Sequence, residues 1–169
     1  MTEGVEVEVK LAVHDPDRIR ELVDNPDPDL LAGFEPVGPV RHVVVLDRYV
    51  DTPDGTLDAA LARARLRESR GRTEVTFKRQ GVVGEGGVTE RTELEGEASP
   101  DLHPARWPDS AARRALVGLT RGAPLVETAR LRQHRLVRDL ARGDTRVELS
   151  LDRLEALDGD NVVATRWEL

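Results

Sequence analysis

Apolar and charged residues alternate one by one near the start of the chain. In Gly4-Val5-Glu6-Val7-Glu8-Val9-Lys10-Leu11 the apolar side chains recur at every second position, and charged side chains fill the positions between them. Successive side chains of a β-strand point to opposite faces, so the pattern predicts a strand with one apolar and one charged face. It fits a surface strand with an ionic wet face. It also fits a polyanion site in which the carboxylates hold a divalent cation and Lys10 contacts a phosphate.

Later segments of the chain repeat this alternation. The charged side chains that share a face within each segment are Arg63, Arg65 and Arg67; Glu74 and Lys78; Arg91, Glu93 and Glu95; Arg130 and Arg132; and Glu148 and Asp152. Alanine, valine, leucine or phenylalanine occupies most of the positions between them. Because the alternation recurs on so many strands, it favours a charged surface shared by several strands over a single surface strand with an ionic face.

Turn residues divide the chain into about eight predicted strands and three short helices. The strands are predicted near residues 5–11, 43–49, 63–67, 73–79, 88–95, 128–140, 146–154 and 162–169. The helices are predicted near residues 17–24, 57–61 and 111–119. Strands that follow one another through short turns favour an antiparallel sheet, and about eight of them are enough to close a barrel. The predicted fold class is therefore α+β, an antiparallel β-barrel flanked by a few helices.

Two arrangements of the charged faces are compatible with such a barrel. In the ordinary one they face solvent, and the apolar faces fill the interior. In the inverse one the charges line a solvated tunnel, and the apolar faces pack outward against the apolar stripes of the helices. Buried charges persist only when they are paired or bound to a ligand. A lumen that holds both signs of charge would therefore suit a metal-bound polyphosphate.

Length, charge and residue content limit the classes of function that this chain can have. A chain of 169 residues predicts a single domain. Its net charge of -7 argues against a surface that attracts nucleic acid, yet the 25 basic residues are almost all arginine and are clustered, as expected for a local anion pocket. The absence of cysteine excludes disulfides, thiolate zinc sites and cysteine nucleophiles. Neither an apolar run of about 18 residues nor a signal-like start occurs, so we expect a cytoplasmic protein without a membrane partner.

Two further sequence features are assigned no chemistry. Gly84-Glu85-Gly86-Gly87 lacks the Gly-Lys-Ser/Thr ending of a phosphate-binding loop and is predicted to be a mobile hairpin loop. The four histidines are scattered without metal-ligand spacing and are predicted to be structural or exposed.

The ordered set of motifs resembles the CYTH superfamily, the triphosphate tunnel metalloenzymes. The matching pieces are Glu6-x-Glu8-x-Lys10, the Asp47 to Asp54 segment with its tyrosine and Asp-Thr-Pro turn, the strand from Leu61 to Arg67, Lys78, Arg91-x-Glu93-x-Glu95, the arginine-rich segment from Ala129 to Arg135, and the acidic strand from Glu148 to Arg153. The family closes with a second Glu-x-Glu strand, of which only Glu168 is present. The resemblance thus implies one tunnel domain over residues 1–169, cut within its last strand.

The resemblance also implies roles for individual residues. Binding of Mg²⁺ or Mn²⁺ falls to Glu6, Glu8, Glu148, Asp152 and Glu168. Contacts to the phosphates fall to Arg65, Arg67, Lys78, Arg91, Arg130 and Arg132. Lys10 positions or activates the attacking water, and Glu93 and Glu95 are further acids of the tunnel.

The function implied by this resemblance is metal-dependent hydrolysis of a triphosphate, inorganic triphosphate above all. One alternative is a non-catalytic module that binds polyphosphate or a nucleotide. Another is an adenylate cyclase, although the chain offers few aromatic side chains to stack on adenine. The expected partner is a triphosphate or polyphosphate small molecule and not a nucleic acid, and a helical polyphosphate-binding domain is expected on the same full-length polypeptide.

Overall fold

Eight strands and three α-helices make up the part of the chain that the structure, a computed structural model, describes. That part is residues 9–83 and 89–169, with the backbone alone for residues 80–83 and 89–92. The α-helices are α1 (Pro16–Asp24), α2 (Thr56–Ala59) and α3 (Ala111–Thr120), with a 3-10 helix at Pro104–Arg106. The strands are β1 (Glu35–Pro36), β2 (Arg41–Asp51), β3 (Ala62–Ser69), β4 (Arg72–Val83), β5 (Thr89–Glu97), β6 (Val126–Arg142), β7 (Thr145–Asp158) and β8 (Asn161–Glu168).

The strands form one sheet in the order β5-β4-β3-β2-β6-β7-β8, and β1 pairs with β6. The pairings of β2 with β3, β3 with β4, and β4 with β5 are antiparallel. Two-residue connections follow β6 and β7, and hairpins this tight join antiparallel strands. The predicted α+β class with an antiparallel sheet is confirmed. Over the described residues the hydrogen-bonded order is open between β5 and β8, so closure into a barrel stays a prediction.

Seven of the eight predicted strands correspond to β2 through β8. The predicted first strand falls mostly on residues that the structure does not describe; just beyond it, Ala12 forms an antiparallel bridge with Glu168. The short strand β1 was not predicted. It has no apolar alternation, and its Pro36 cannot donate a ladder hydrogen bond.

Side-chain caps fix the first turns of α1 and α3. The Asp15 carboxylate accepts a hydrogen bond from the backbone N–H of Arg18 at 3.1 Å, and proline opens α1. The Ser110 hydroxyl caps α3 in the same way, accepting from the backbone N–H of Arg113 at 3.1 Å. These local signals explain why both helices begin where the sequence indicates.

The contacts of the chain divide it into two compact units. The first unit contains the residues up to Val44, Gln133–Glu155 and Ala164–Leu169. The second unit contains Val45–Arg132 and Ala156–Val163.

The core of the second unit lies between β3 and β4 on one side and α2 and α3 on the other. Its buried members include Ala62, Ala64, Leu66, Val75 and Phe77 of the strands and Leu57, Ala112 and Leu116 of the helices. The register pairs Ala64 with Phe77 and Leu66 with Val75, so the apolar side chains of both strands share one face. The helices cover that face, and the charged positions between them therefore point to the opposite side, as the inverse arrangement requires.

The core of the first unit is built on the same principle. Val23 of α1 is buried together with Leu136 of β6 and Leu151 of β7, and Trp167 packs against them. Leu151 alternates along β7 with Ser150 and Asp152, so these polar side chains belong to the face that α1 does not cover. In both units the apolar strand face meets a helix.

A substitution at Gly96 of β5 tests how closely this strand approaches the N-terminal cap of α3 in the second unit. A Cβ atom at Gly96 would lie 2.2 Å from Oγ and 2.3 Å from Cβ of Ser110, the residue that caps α3. Ser110 cannot withdraw without losing its capping hydrogen bond. We expect Gly96→Ala to lower the free energy of unfolding by about 1–3 kcal/mol, measured by urea denaturation.

The matched control is Gly118→Ala within α3, where an added Cβ meets no atom within 4 Å. Alanine is a better helix former than glycine, so this variant should be neutral or more stable by about 1 kcal/mol. Equal destabilisation by the two substitutions would contradict the close approach of β5 to the helix cap.

Candidate functional site

The register of β2 through β5 aligns charged and polar side chains in rows across the sheet of the second unit. The rows are Asp47, Arg67, Glu74 and Glu97; Tyr49, Arg65, Thr76 and Glu95; and Arg63, Lys78 and Glu93. Directly paired residues of neighbouring strands project from the same face, so these side chains form one surface opposite the apolar core. We call it the charged face of the second unit.

Asp47 is the fully buried carboxylate of this face, with a side chain that is 0% exposed. Arg67 binds it in a bidentate manner, with Nε 2.7 Å from Oδ1 and Nη2 2.7 Å from Oδ2. Such paired, charge-assisted hydrogen bonds fix both side chains and neutralise both charges. Asp47 was not predicted as a site residue, although its two-residue spacing from Tyr49 places both on one face of a strand.

Arg65 lies beside this pair but is held less tightly. Its Nη1 atom is 3.5 Å from Oδ2 of Asp47, and its Nη2 atom donates to the Thr76 hydroxyl at 3.2 Å. The Arg65 side chain is 21% exposed. Because Arg67 already occupies both carboxylate oxygens of Asp47, the guanidinium of Arg65 is better placed to receive an anion at this face.

Lys78 and Glu93 form an exposed ion pair on the next row, with Nζ 2.9 Å from Oε1. Exposed pairs contribute at most about 1 kcal/mol, so Lys78 can exchange its partner for a ligand at little cost. Glu95 is exposed and lies opposite Thr76. Arg63 turns away to Asp58 of α2 at 2.7 Å. The backbone of Arg91 pairs with Gln80, and the Arg91 side chain lies outside the described residues.

Arg130 is bound to a carboxylate of its own strand, that of Glu127. Its Nε and Nη2 atoms donate to the Glu127 carboxylate at 2.8 and 2.9 Å, and Arg48 Nε donates to the same carboxylate at 2.8 Å. Arg48 pairs across the sheet with buried Leu66, which puts this cluster on the apolar side of the sheet. Arg132 is half-buried further along β6.

The contacts within the Arg48, Glu127 and Arg130 cluster shift the pKa values of Glu127 and Arg130. Burial opposes ionisation of Glu127, but the hydrogen bonds from Arg130 and then Arg48 outweigh it, and the pKa of Glu127 is lowered. The hydrogen bond to Glu127 is also the main reason why the pKa of Arg130 is raised. The cluster therefore stabilises the fold when the Glu127 carboxylate is ionised.

Glu127→Gln should lower the free energy of unfolding at pH 7 by about 2 kcal/mol, since it leaves two arginines around a neutral amide. The pKa of Glu127 is lower in the folded chain than its ordinary value of 4.5. The stabilisation is therefore complete above that pH and is lost as the pH falls through the folded-state pKa. Urea denaturation at pH 7 and pH 3 should show the difference between wild type and variant shrinking at the lower pH. Glu97→Gln, at an exposed position, should behave as wild type.

The first unit has a charged face of its own, on β7 and its neighbours. Arg135 Nε lies 3.0 and 3.1 Å from the two oxygens of the Asp152 carboxylate, and its Nη2 donates to the Ser150 hydroxyl at 3.2 Å. Arg41 Nη2 contacts Glu148 at 3.2 Å and Asp139 at 2.9 Å. The hydrogen bond to Glu148 is the largest reason for the raised pKa of Arg41.

A family model for the CYTH domain matches residues 4–163. The chain belongs to the CYTH family. No curated protein matches this CYTH domain.

Two solved structures share the fold of this CYTH domain. The candidate adenylyl cyclase HpAC1 from Hippeastrum is 20% identical, with a TM-score of 0.61, over 95% of this chain and 75% of its own. A candidate adenylate cyclase from Bacillus halodurans is 20% identical, with a TM-score of 0.56, over 97% of this chain and 78% of its own. At such identities the likeness establishes the fold alone.

The predicted metal ligands are brought together only in part. Glu6 and Glu8 lie outside the described residues. Glu168 pairs with Arg166 at 3.1 Å. Glu148 contacts Arg41, and Asp152 is bound by Arg135. Within residues 9–83 and 89–169, no group of three or more histidines or carboxylates is arranged to hold a metal ion.

Lys10 and Arg135 are two charged residues of the first unit. Lys10 is exposed, two residues before the bridge between Ala12 and Glu168. Arg135 was not assigned a role from the sequence. Its contact with Asp152 places Arg135 on the charged face of the first unit.

The Asp-Thr-Pro turn of the CYTH domain has a structural role. The Asp51 carboxylate accepts hydrogen bonds from the backbone N–H groups of Leu57 at 2.8 Å and Asp58 at 3.1 Å, which caps α2. The hydrogen bond from the Thr52 hydroxyl is the largest cause of the lowered pKa of Asp54. The turn thus fixes the path of the chain from β2 to β3. Over the described part of the chain, no helix has the length and apolar character to cross a membrane.

Proposed function

We propose that this CYTH domain hydrolyses a triphosphate, foremost inorganic triphosphate, with Mg²⁺ or Mn²⁺ as cofactor. The observation that carries the proposal is the loosely held Arg65 guanidinium beside the neutralised Arg67 and Asp47 pair. Family membership supports a triphosphate as the class of substrate. The Hippeastrum protein HpAC1 is described as having a dominant triphosphatase activity, which supports hydrolysis as the reaction.

The proposed chemistry is electrostatic. Phosphoryl transfer requires charge neutralisation and in-line positioning more than it requires a covalent nucleophile. The planar fork of Arg65 matches two phosphate oxygens at once, and Lys78 adds a point charge two positions further across the same sheet face. Family resemblance assigns Lys10 the positioning of the attacking water.

The cation requirement rests on the Glu6-x-Glu8 motif. A divalent cation, when bound, neutralises phosphate oxygens and lowers the repulsion that an attacking oxygen meets. The carboxylates of Asp152 and Glu168 are paired with arginines, and each would have to exchange its arginine for the cation to serve as a ligand. The role of the motif must therefore be tested directly.

The test is phosphate release from inorganic triphosphate, thiamine triphosphate and ATP, with Mg²⁺, with Mn²⁺ and with EDTA. We expect the fastest release from inorganic triphosphate, a loss with EDTA, and a reduction of at least tenfold in Glu8→Gln. Glu21→Gln, at an exposed position on α1, is the matched control and should retain activity. If none of the three substrates releases phosphate with either cation, hydrolysis is rejected.

A non-catalytic polyphosphate-binding module is the second candidate function. It is favoured by the pairing of three predicted metal ligands, Glu148, Asp152 and Glu168, with arginines. It predicts salt-sensitive polyphosphate binding that survives Glu8→Gln and weakens in Arg65→Ala. Adenylate cyclase activity, suggested by what the two structural neighbours are described to be, would appear as cyclic AMP formed from ATP.

A further inference from the structure

The first unit contains a cavity of about 250 Å³. Its basic lining residues are Arg20, His42, His134, Arg135 and Arg153. Its apolar lining is formed by Leu136, Leu151 and Trp167. The cavity is smaller than the range of about 300–1,000 Å³ typical of drug-sized ligands, so it suits a small molecule.

The cavity lies on the helix side of the strands. Leu136 and Leu151 line it, and both pack against Val23 of α1 in the core of the first unit. Leu151 and Asp152 are adjacent on β7 and therefore point to opposite faces. Arg135 also borders the cavity, but its guanidinium is bound to the Asp152 carboxylate. The cavity is thus distinct from the carboxylates of β7.

Positive charge predominates around this cavity. Arg20 lies 6.0 Å from the centroid of the Trp167 ring, and Arg153 contacts Glu155 at 2.7 Å. Glu155 is only 6% exposed and also lies 3.4 Å from His134 Nε2. Among the described residues, the Glu155 carboxylate therefore lies near both Arg153 and His134, but it makes no hydrogen bond to His134 Nε2.

Two polar atoms at the cavity are left without a hydrogen bond. His134 Nε2 and Arg153 Nε are buried and have no hydrogen-bond partner among the described residues. A buried polar atom in this state is costly, and a ligand oxygen within reach would satisfy it. Three features therefore coincide here: buried ring and guanidinium nitrogens that make no hydrogen bond, an excess of basic side chains, and an apolar floor.

We propose that this cavity binds a small organic phosphate with a flat apolar body. The phosphate oxygens accept hydrogen bonds from Arg20, Arg153 and His134, which together offer more donors than a carboxylate can use. The apolar body packs on Trp167, Leu136 and Leu151. This ligand site is independent of the proposed triphosphate hydrolysis, because none of its residues has been given a role there.

The experiment is a titration of the whole protein with phenyl phosphate, followed by tryptophan fluorescence and by calorimetry. We expect saturable quenching, since Trp167 lines the cavity, with a dissociation constant of about 1 mM or below. Inorganic phosphate should bind at least about tenfold more weakly, because it lacks the apolar body. Absence of saturation up to about 10 mM phenyl phosphate, or equal affinities for the two compounds, would overturn the proposal.

Matched variants locate the site. Arg20→Ala, at an exposed position of α1, should weaken phenyl phosphate binding about tenfold without unfolding the protein, as circular dichroism will show. Arg18→Ala, exposed on the same helix, should bind as wild type. Weaker binding in Arg65→Ala together with unchanged binding in Arg20→Ala would place the ligand on the charged face of the second unit and refute the assignment.

Discussion

Replacing Asp47 by alanine is expected to lower the free energy of unfolding by about 3 kcal/mol. The Asp47 carboxylate is fully buried and binds Arg67 through two hydrogen bonds of 2.7 Å. Breaking a buried ion pair by removing one partner costs about 3–5 kcal/mol, because the remaining charge is uncompensated. The Arg67 side chain is 25% exposed and can recover some hydration, which puts the expected value at the lower end. Urea denaturation at pH 7 measures it.

The control for Asp47 is Asp58→Ala, which removes the partner of Arg63. Both side chains of that pair are well exposed, at 73% and 64%, and exposed pairs contribute at most about 1 kcal/mol. Similar losses in Asp47→Ala and Asp58→Ala would mean that solvent screens the Asp47 pair, and the view of a buried, preorganised charged face would have to be abandoned.

The two-residue alternation predicted the face assignment of β3 and β4 correctly. Ala64 and Leu66 are buried beneath the helices, whereas Arg65 and Arg67 project from the other side. This prediction requires only the pleat of a strand and one buried face, both of which are local properties. The hairpin at Arg70 and Gly71, where both residues have positive φ, then sets the register between the two strands.

The partners of individual charges could not be predicted in the same way. The link between Asp47 and Arg67 depends on the register of β2 against β3, which no local pattern encodes. Arginine has a long side chain, so its guanidinium can reach a carboxylate that strict alternation would place elsewhere. Glu127, three residues before Arg130 on β6, is such a carboxylate.

The partners of the predicted metal ligands could not be predicted from the sequence either. The carboxylates of β7 have the spacing of a metal-binding strand, but spacing does not show that Arg41 and Arg135 occupy them. Sequence reasoning thus identified the charged strands of both units. It did not distinguish a carboxylate that faces a cation from one that is neutralised by arginine.

Arg65→Ala is expected to reduce kcat/KM for triphosphate hydrolysis by about 10²–10³-fold. Removal of a single preorganised donor to a developing negative charge typically has an effect of about this size. The free energy of unfolding should change by about 1 kcal/mol, since Arg65 contacts Asp47 only at 3.5 Å and its loss removes one hydrogen bond, to Thr76. Arg65→Lys keeps the charge but loses the bidentate fork, and its activity should lie between those of wild type and Arg65→Ala.

The matched control is Arg63→Ala, on the same strand face two residues away. Arg63 is directed to Asp58 at the surface, so its loss should leave kcat/KM within about threefold of wild type. Steady-state phosphate release measures all three variants. If Arg63→Ala and Arg65→Ala lose activity equally, the effect is one of general positive charge and not of a preorganised donor. If Arg65→Ala hydrolyses triphosphate as wild type does, the substrate does not bind at the charged face of the second unit.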